Sequence, residues 1–296
     1  MITRRSFGEV IFDSFNHLLL LIFGLICLYP MLHVLFASFS DPAKFAMHSG
    51  ILFKPLGFSL VAYEIVVKNP NILIGYMNTI FYVTVGTIFN VLLTAMGAYV
   101  LSRKNLMLKK PLMIMVVFTM YFGGGLIPNF LLVKNIGLYD SRLALIIPGL
   151  IATWNMIVMK TAFSAVPDSL EESAKIDGAN DFTILFRVIL PVTKATVAVM
   201  VLFYAVGHWN AWFNAMIYLR DRSLYPLQLL LREILIANSA SGNSLESAAV
   251  MEDDKALVYT IIKYCTIMVA TVPILFIYPF CQKYFMKGVM LGSIKG

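Results

Sequence analysis

Six unbroken apolar stretches, each long enough to cross a hydrocarbon core as a helix, constrain this chain more than anything else in it. A crossing takes roughly 20 residues of helix. The runs at 14–37, 76–101, 111–133, 141–163, 193–217 and 256–281 meet that length. They are apolar throughout and do not alternate, which favours helices over barrel strands. Of the 296 residues, 59% are hydrophobic and 13% are charged. A soluble domain carries roughly 45–50% and 25%. The expectation is an all-α membrane protein, a single transmembrane domain over 1–296 with six transmembrane helices.

Basic residues at the span ends set the orientation. Arg4 and Arg5, Arg103, Lys104, Lys109 and Lys110, then Lys160, Lys175, Arg187 and Lys194, then Lys283, Lys287 and Lys295 fall on one side. The other side is longer, and its acids offset its bases. The first side is therefore read as cytoplasmic, with both termini inside. The opening "MITRRSFGEV" leads into an apolar run with no A-x-A site, so that run is read as an uncleaved first span. The formal net charge of +7 comes from residues beside apolar runs. No basic patch is interleaved with aromatics, so the expected partner is the lipid bilayer and not nucleic acid. Cys27, Cys265 and Cys281 lack metal-ligand spacing and read as small packing residues.

One polar, charged segment interrupts the apolar pattern: "VPDSLEESAKIDGANDFTILFRVILP", Val166 to Pro191, between the fourth and fifth spans. Pro167 closes the preceding span. Asp168 or Ser169 can cap a new helix, and Glu172 lies three residues after Ser169, as in a capping box. Gly178 can take the left-handed conformation that ends a helix. Asn180 can cap a second helix, "DFTILFRVIL". The insert, 165–191, reads as helix, tight turn, helix, cytoplasmic and tied to two spans. Such a unit suits a lever, although a plain connection is the simpler account.

The spacing here resembles the EAA motif of ATP-binding-cassette importer permeases: E-A-A, three residues, G, nine residues, I-x-L-P. This chain has Glu172, Ser173 and Ala174, then Gly178, then Val188, Leu190 and Pro191, with Ser173 in place of Ala and Val188 in place of Ile. The segments "MYFGGGLIPNFLLVKNIGLYDSRLALIIPG", "FYAVGHWNAWFNAMIYLRDRSLYPLQL" and "YPFCQKYFMKGVMLGSIKG" look like maltose-type carbohydrate-uptake permeases, most of all their lipoprotein-like or polysaccharide branch. The resemblance implies a permease subunit of the bacterial cytoplasmic membrane that is not itself an enzyme. Its implied partners are a second homologous permease, two ATPase subunits that bind the ATP and magnesium, and an external solute-binding protein. It also implies an ATPase-coupling role for Glu171, Glu172, Ser173, Ala174, Asp177, Gly178 and Ala179. In related importers an external loop reaches towards the binding protein, and 218–255 is the candidate here, against a passive cap on the chain's own span ends.

Polar groups within the spans mark either a pathway or an interhelical hydrogen bond. Asn90, Asn155, His208, Asn210, Asn214 and Lys263 are the cases in point. Asn155, His208, Trp209, Asn210 and Trp212 are translocation-path candidates, since aromatic faces stack on sugars and amides bond hydroxyls. For Trp209 and Trp212 an interfacial aromatic belt is the competing account, and for His208 a packed, hydrogen-bonded ring. The three glycines of "FGGGLIP" permit a break before Pro128. No G-x-x-x-x-G-K-[ST], H-E-x-x-H or G-x-S-x-G occurs, and the four histidines are scattered. An ATP-driven oligosaccharide importer subunit is the expected function. An importer permease for a non-sugar solute, a membrane-embedded glycosyl-transfer enzyme and a secondary carrier are the rivals.

Overall fold

The computed structural model describes residues 7–243, 261–276 and 279, and every regular element among them is helical. Helix α1 is Phe7–Ser38, α2 Pro42–Ala46, α3 Val61–Lys68, α4 Pro70–Ser102, α5 Lys109–Tyr121 and α6 Leu126–Asn135. Two short 3-10 turns, Arg142–Leu145 and Ile147–Gly149, precede α7, Thr153–Ser164. Then come α8 Asp168–Ile176, α9 Asp181–Ile184, a π-turn at Leu185–Ile189, α10 Leu190–Val192, α11 Lys194–Trp209 and α12 Phe213–Tyr218. A 3-10 turn at Arg222–Leu224 leads to α13, Leu227–Asn243, and α14 is Ile261–Phe276.

Helices α1 and α4 contain the expected spans 14–37 and 76–101 and are long and apolar enough to cross a membrane. The next three expected spans are not single helices. The stretch 111–133 breaks between α5 and α6, which meet at 112°. Gly125 there has φ 85 and ψ 178, backbone that only glycine adopts freely. The stretch 141–163 is helical in two 3-10 turns and then α7, at 49°. Pro148 lies in the second turn and has no N–H for a helical ladder. The stretch 193–217 divides into α11 and α12, and Asp181–Val192 meets α11 at 91°. The Asn210 side chain bonds back to the Val206 carbonyl at 3.0 Å and closes α11. Of 256–281, the residues outside Ile261–Phe276 and 279 lie outside the described residues, as do 244–255 of the long loop.

The chain forms two compact units. One comprises the chain up to Asn69 together with Glu233–Val272. Within it, Tyr29 of α1 accepts a hydrogen bond from the Leu52 N–H at 3.0 Å, and Tyr63 of α3 donates to Ser38 at 2.8 Å. The Cys265 thiol donates to the Ser38 carbonyl at 3.3 Å. Asp41 caps α2 by accepting from the Ala43 and Lys44 N–H groups, with Pro42 at the first helical position.

The second unit comprises Pro70–Arg232 together with the chain from Pro273 on, and is organised on α4, against which α7 and α11 pack. One row of α4 residues, four apart, lies on one face: Asn78, Tyr82, Gly86, Asn90 and Thr94. Asn90 Nδ2 donates to the carbonyls of Gly149 and Leu150, at 2.6 and 2.8 Å. These carbonyls belong to the interrupted stretch before α7. The two acceptors fix the amide orientation, so Asn90 Oδ1 must accept from His208 Nε2, at 2.7 Å. Gly86 leaves room for that imidazole, since a Cβ there would sit 2.4 Å from Nε2. Tyr204 of α11 bonds Thr94 at 2.7 Å and accepts from the Ala152 N–H at 3.0 Å. At the other end of the row, Asn78 donates to the Ser223 and Tyr225 carbonyls and Tyr82 to that of Leu224. Asp140 closes this end. Its φ of 59 is unusual for a non-glycine residue. Its carboxylate accepts from the Arg220 and Asp221 N–H groups at 2.7 and 2.9 Å. The Asp221 and then the Arg220 N–H hold that carboxyl below its usual pKa, so it is charged at neutral pH.

Replacing Asn90 by Leu keeps the volume and removes the amide that two carbonyls and one imidazole bond to. Each buried polar group left unsatisfied costs about 1–3 kcal/mol. The expected result is a clear drop in the thermal midpoint of the purified complex, and a midpoint equal to the parent's would refute this role of Asn90.

Candidate coupling site

The insert is fixed at its start by ion pairs and at its turn by backbone geometry. Helix α8 begins at Asp168 with Pro167 in the capping position, and no side chain caps it. The expected capping box from Ser169 to Glu172 is therefore absent. Lys104, beyond the end of α4, pairs with the Asp168 carboxylate instead. That contact holds the Asp168 carboxyl below its usual pKa.

The turn after α8 follows the sequence expectation. Gly178 has φ 81, its N–H reaches the Lys175 carbonyl at 3.0 Å, and the Ala179 N–H reaches that of Ala174 at 2.9 Å. These two bonds form a Schellman motif, in which a left-handed residue lets the last carbonyls of a helix find donors. Asn180 then caps the next helix, accepting from the Thr183 N–H at 2.8 Å. That helix passes through a π-turn, where the Leu190 N–H reaches the Leu185 carbonyl. Pro191 has no N–H, and the Thr193 hydroxyl donates to the Ile189 carbonyl at 2.7 Å as the chain turns into α11.

The face of α8 turned towards the spans carries Glu171, Ala174 and Lys175, positions that share one side of a helix. The Glu171 side chain is only 11% exposed. It forms an ion pair with Arg103 and accepts from Lys175 Nζ at 2.8 Å. Arg103 stacks over the Tyr99 ring at 4.7 Å, donates to Ser102 Oγ at 2.9 and 3.0 Å, and reaches the Phe163 carbonyl at 3.4 Å. Lys109 covers the end of α4 by donating to the Arg103 carbonyl at 3.0 Å. Ala174 and Ala179 pack on an apolar cluster that includes Tyr99, Phe163, Ile184 and Ile189. A cleft of about 670 Å³ lies beside the ion pair, lined among others by Tyr99, Lys160, Glu171 and Asp181.

The opposite face of α8 and its turn is exposed: Glu172, Ser173, Ile176, Asp177 and Gly178. Ile176 is 86% exposed. The expected coupling set thus divides. Glu171, Ala174 and Ala179 face the chain itself, and Glu172, Ser173, Asp177 and Gly178 face outward. Glu171 has an intramolecular partner where an outward contact was expected. The sequence reading missed Arg103, Lys104 and Ile176. For Ile176 the available signal was an isoleucine on the polar side of "DSLEESAKI".

The translocation-path candidates separate as well. His208 is bound to Asn90. Asn155 is buried in the first turn of α7, just past the carbonyls that Asn90 holds. Trp209, Asn210 and Trp212 flank the break between α11 and α12. The Trp209 ring meets Tyr76 edge-on at 6.4 Å, and its buried indole N–H has no acceptor among the described residues. Among the described residues no His, Cys, Asp and Glu side chains gather as a metal site would require.

The Arg103–Glu171 pair is open to a double-mutant test. Arg103→Gln and Glu171→Gln should each loosen α8 from the end of α4, lowering both the thermal midpoint and transport per ATP hydrolysed. In the double variant the losses should fall short of their sum, with a coupling of about 0.5–3 kcal/mol, as for residues in direct contact. Strict additivity would show that the pair does not hold the insert.

Residues 93–217, from within α4 into α12, match the family described as binding-protein-dependent transport system inner membrane component. The chain is 43% identical over 286 residues to the polygalacturonan/rhamnogalacturonan transport system permease protein YtcP of Bacillus subtilis (strain 168), covering 97% of this chain and 99% of that one. It is 39% identical over 289 residues to protein LplC of the same organism, covering 97% and 95%. It is also similar to a chain in the crystal structure of a bacterial ABC transporter involved in the import of the acidic polysaccharide alginate. The TM-score is 0.86 at 32% identity, with 95% of this chain and 99% of that one covered. These likenesses run nearly end to end and include the clamped insert. The chain belongs to the family of binding-protein-dependent transport system inner membrane components, and is a permease subunit, not an enzyme in its own right.

Proposed function

We propose that this chain forms half of the membrane pathway of an ATP-driven importer of oligosaccharides in a bacterial cytoplasmic membrane. The observation that carries this reading is the two-faced insert. One face of α8 is ion-paired to the end of α4, and the other presents Glu172, Ser173, Ile176 and Asp177 to a partner. A helix held in this way transmits a push to the spans without flexing at its root. The partner on the outward face is one of two ATPase subunits, which bind the ATP and magnesium. A second, homologous permease completes the pathway, and an external binding protein delivers the solute. The carbohydrate assignment follows two of the relatives, whose names give polygalacturonan/rhamnogalacturonan and alginate.

In this reading the chain crosses the bilayer six times with both termini in the cytoplasm, and the bent helix pairs count as single crossings. The insert, 165–191, and the α4–α5 turn lie on the cytoplasmic side. The chain is one transmembrane domain over 1–296, with no cofactor of its own. Trp209, Asn210 and Trp212 lie along the solute path. The loop 218–255 faces outward, and α13 forms its first part.

Two experiments test this. Gly178→Val places a β-branched residue at φ 81. Such a residue in left-handed backbone costs roughly 1–2 kcal/mol. The expected result is an assembled, membrane-inserted complex whose sugar uptake is lost while ATP hydrolysis no longer responds to the loaded binding protein. Uptake at the parent's rate would sink the lever. For orientation, a single cysteine at position 107 in an otherwise cysteine-free chain should react with an impermeant maleimide only in inverted vesicles. Reaction in right-side-out vesicles would reverse the topology and remove the insert from reach of an ATPase.

A further inference from the structure

We propose that Arg232, held on the Trp212 ring at the break between α11 and α12, reads the carboxylate of an acidic sugar, so that the solute this chain passes is a uronate-bearing oligosaccharide. The inference rests on the oligosaccharide-import reading above and narrows it. The guanidinium carbon of Arg232 lies 3.6 Å from the Trp212 ring centroid, a close cation–π stack that fixes the plane of the guanidinium. Among the described residues its hydrogen bond runs from Nη1 to the Met216 sulfur at 3.4 Å. A thioether is a weak acceptor, and guanidinium carries five N–H donors. Among the described residues no carboxylate pairs with Arg232. A fixed guanidinium with its edge free is the group that binds a carboxylate through two parallel hydrogen bonds.

The surroundings fit a sugar acid better than an inorganic anion. Asn210 sits on the same break with an exposed amide. That amide suits the hydroxyls that accompany a uronate carboxylate. A second cation stands at this end of α4. Arg142 bonds the amide oxygen of Asn78 at 3.1 Å and stacks over Phe81 at 4.8 Å, again with no carboxylate partner among the described residues. Asn78 in turn holds the Ser223 and Tyr225 carbonyls, just before α13, which carries Arg232. Two guanidinium groups on aromatic platforms thus make this end attractive to a polyanion. A methyl ester of the same sugar keeps the shape and hydroxyls and removes the charge, so it separates carboxylate reading from general sugar stacking.

The test uses the complete complex in proteoliposomes with its binding protein, and compares uptake of trigalacturonate with that of its fully methyl-esterified form. The parent should prefer the acid. Arg232→Gln should lower the acid-to-ester uptake ratio about tenfold, the scale of one lost charge-assisted bidentate contact. Arg232→Lys, which keeps the charge but loses the fork, should recover only part of it. Trp212→Leu, which removes the platform, should lower the ratio by a smaller factor. If the parent takes up neutral trisaccharides but not the acid, the oligosaccharide reading stands and the acidic one is overturned. If it takes up neither, the import reading itself fails. If Arg232→Gln lowers both uptakes equally and the second permease no longer copurifies, the guanidinium pairs with an acid of that partner and the proposal is overturned.

Discussion

A polypeptide in a bilayer has no water to complete its hydrogen bonds, so any break in a spanning helix must be answered by side chains. This structure meets that requirement largely on one row of α4. Asn90 takes the two carbonyls left free before α7, and Tyr204, braced by Thr94, takes the Ala152 N–H. Asn78 and Tyr82 do the same for the carbonyls around Leu224. The bent segments of the second unit are stable because α4 carries their missing partners at four-residue spacing.

The same helix ends in the clamp. Arg103 follows directly on Ser102, the last residue of α4, and holds Glu171 of the insert while it leans on Tyr99 and the Phe163 carbonyl. The length of α4 from Asn78 to Thr94 therefore grips the irregular segments, and Arg103, just past its end, grips α8. In the proposed function a displacement of α8 reaches both along one continuous helix. The polar ladder specifies which side of that helix α7 and α11 occupy, since each bond has one acceptable partner and an apolar contact has many.

How far the sequence alone leads depends on the range of the deciding interaction. Hydropathy located α1 and α4, because length and apolarity are local. Gly178 and Asn180 were legible as a helix stop and start for the same reason, and both act as expected. The breaks at 122–125, 150–152 and 210–212 were only partly visible. Glycines and Pro148 announce that a helix is weak, but the partner that makes a break tolerable lies on another helix. The capping box from Ser169 failed because the helix starts earlier, at Asp168, where Lys104, distant in sequence, pairs with the carboxylate, and Ser169 lies inside the first turn. Glu171 and Glu172 are adjacent in an acidic pair, and a turn of about 100° per residue puts one against Arg103 and the other in the open. The i, i+3, i+4 pattern of Glu171, Ala174 and Lys175 held that information.

Among the described residues, apart from its two chain neighbours, nothing lies within 4 Å of where a side chain at Gly178 would begin. The position is roomy, so what it forbids is a handedness. A D-alanine placed there by chemical ligation would fit the backbone that an L-alanine strains, with the same atoms and the same neighbours. Neighbouring positions of one short turn are thus under two kinds of restriction. In the proposed function Glu172, Ser173 and Asp177 are limited by the partner they meet, and Gly178 by the mirror image it alone can adopt. A surface made in this way can change partners by altering its contacts while the angle at which it is presented stays fixed by one torsion.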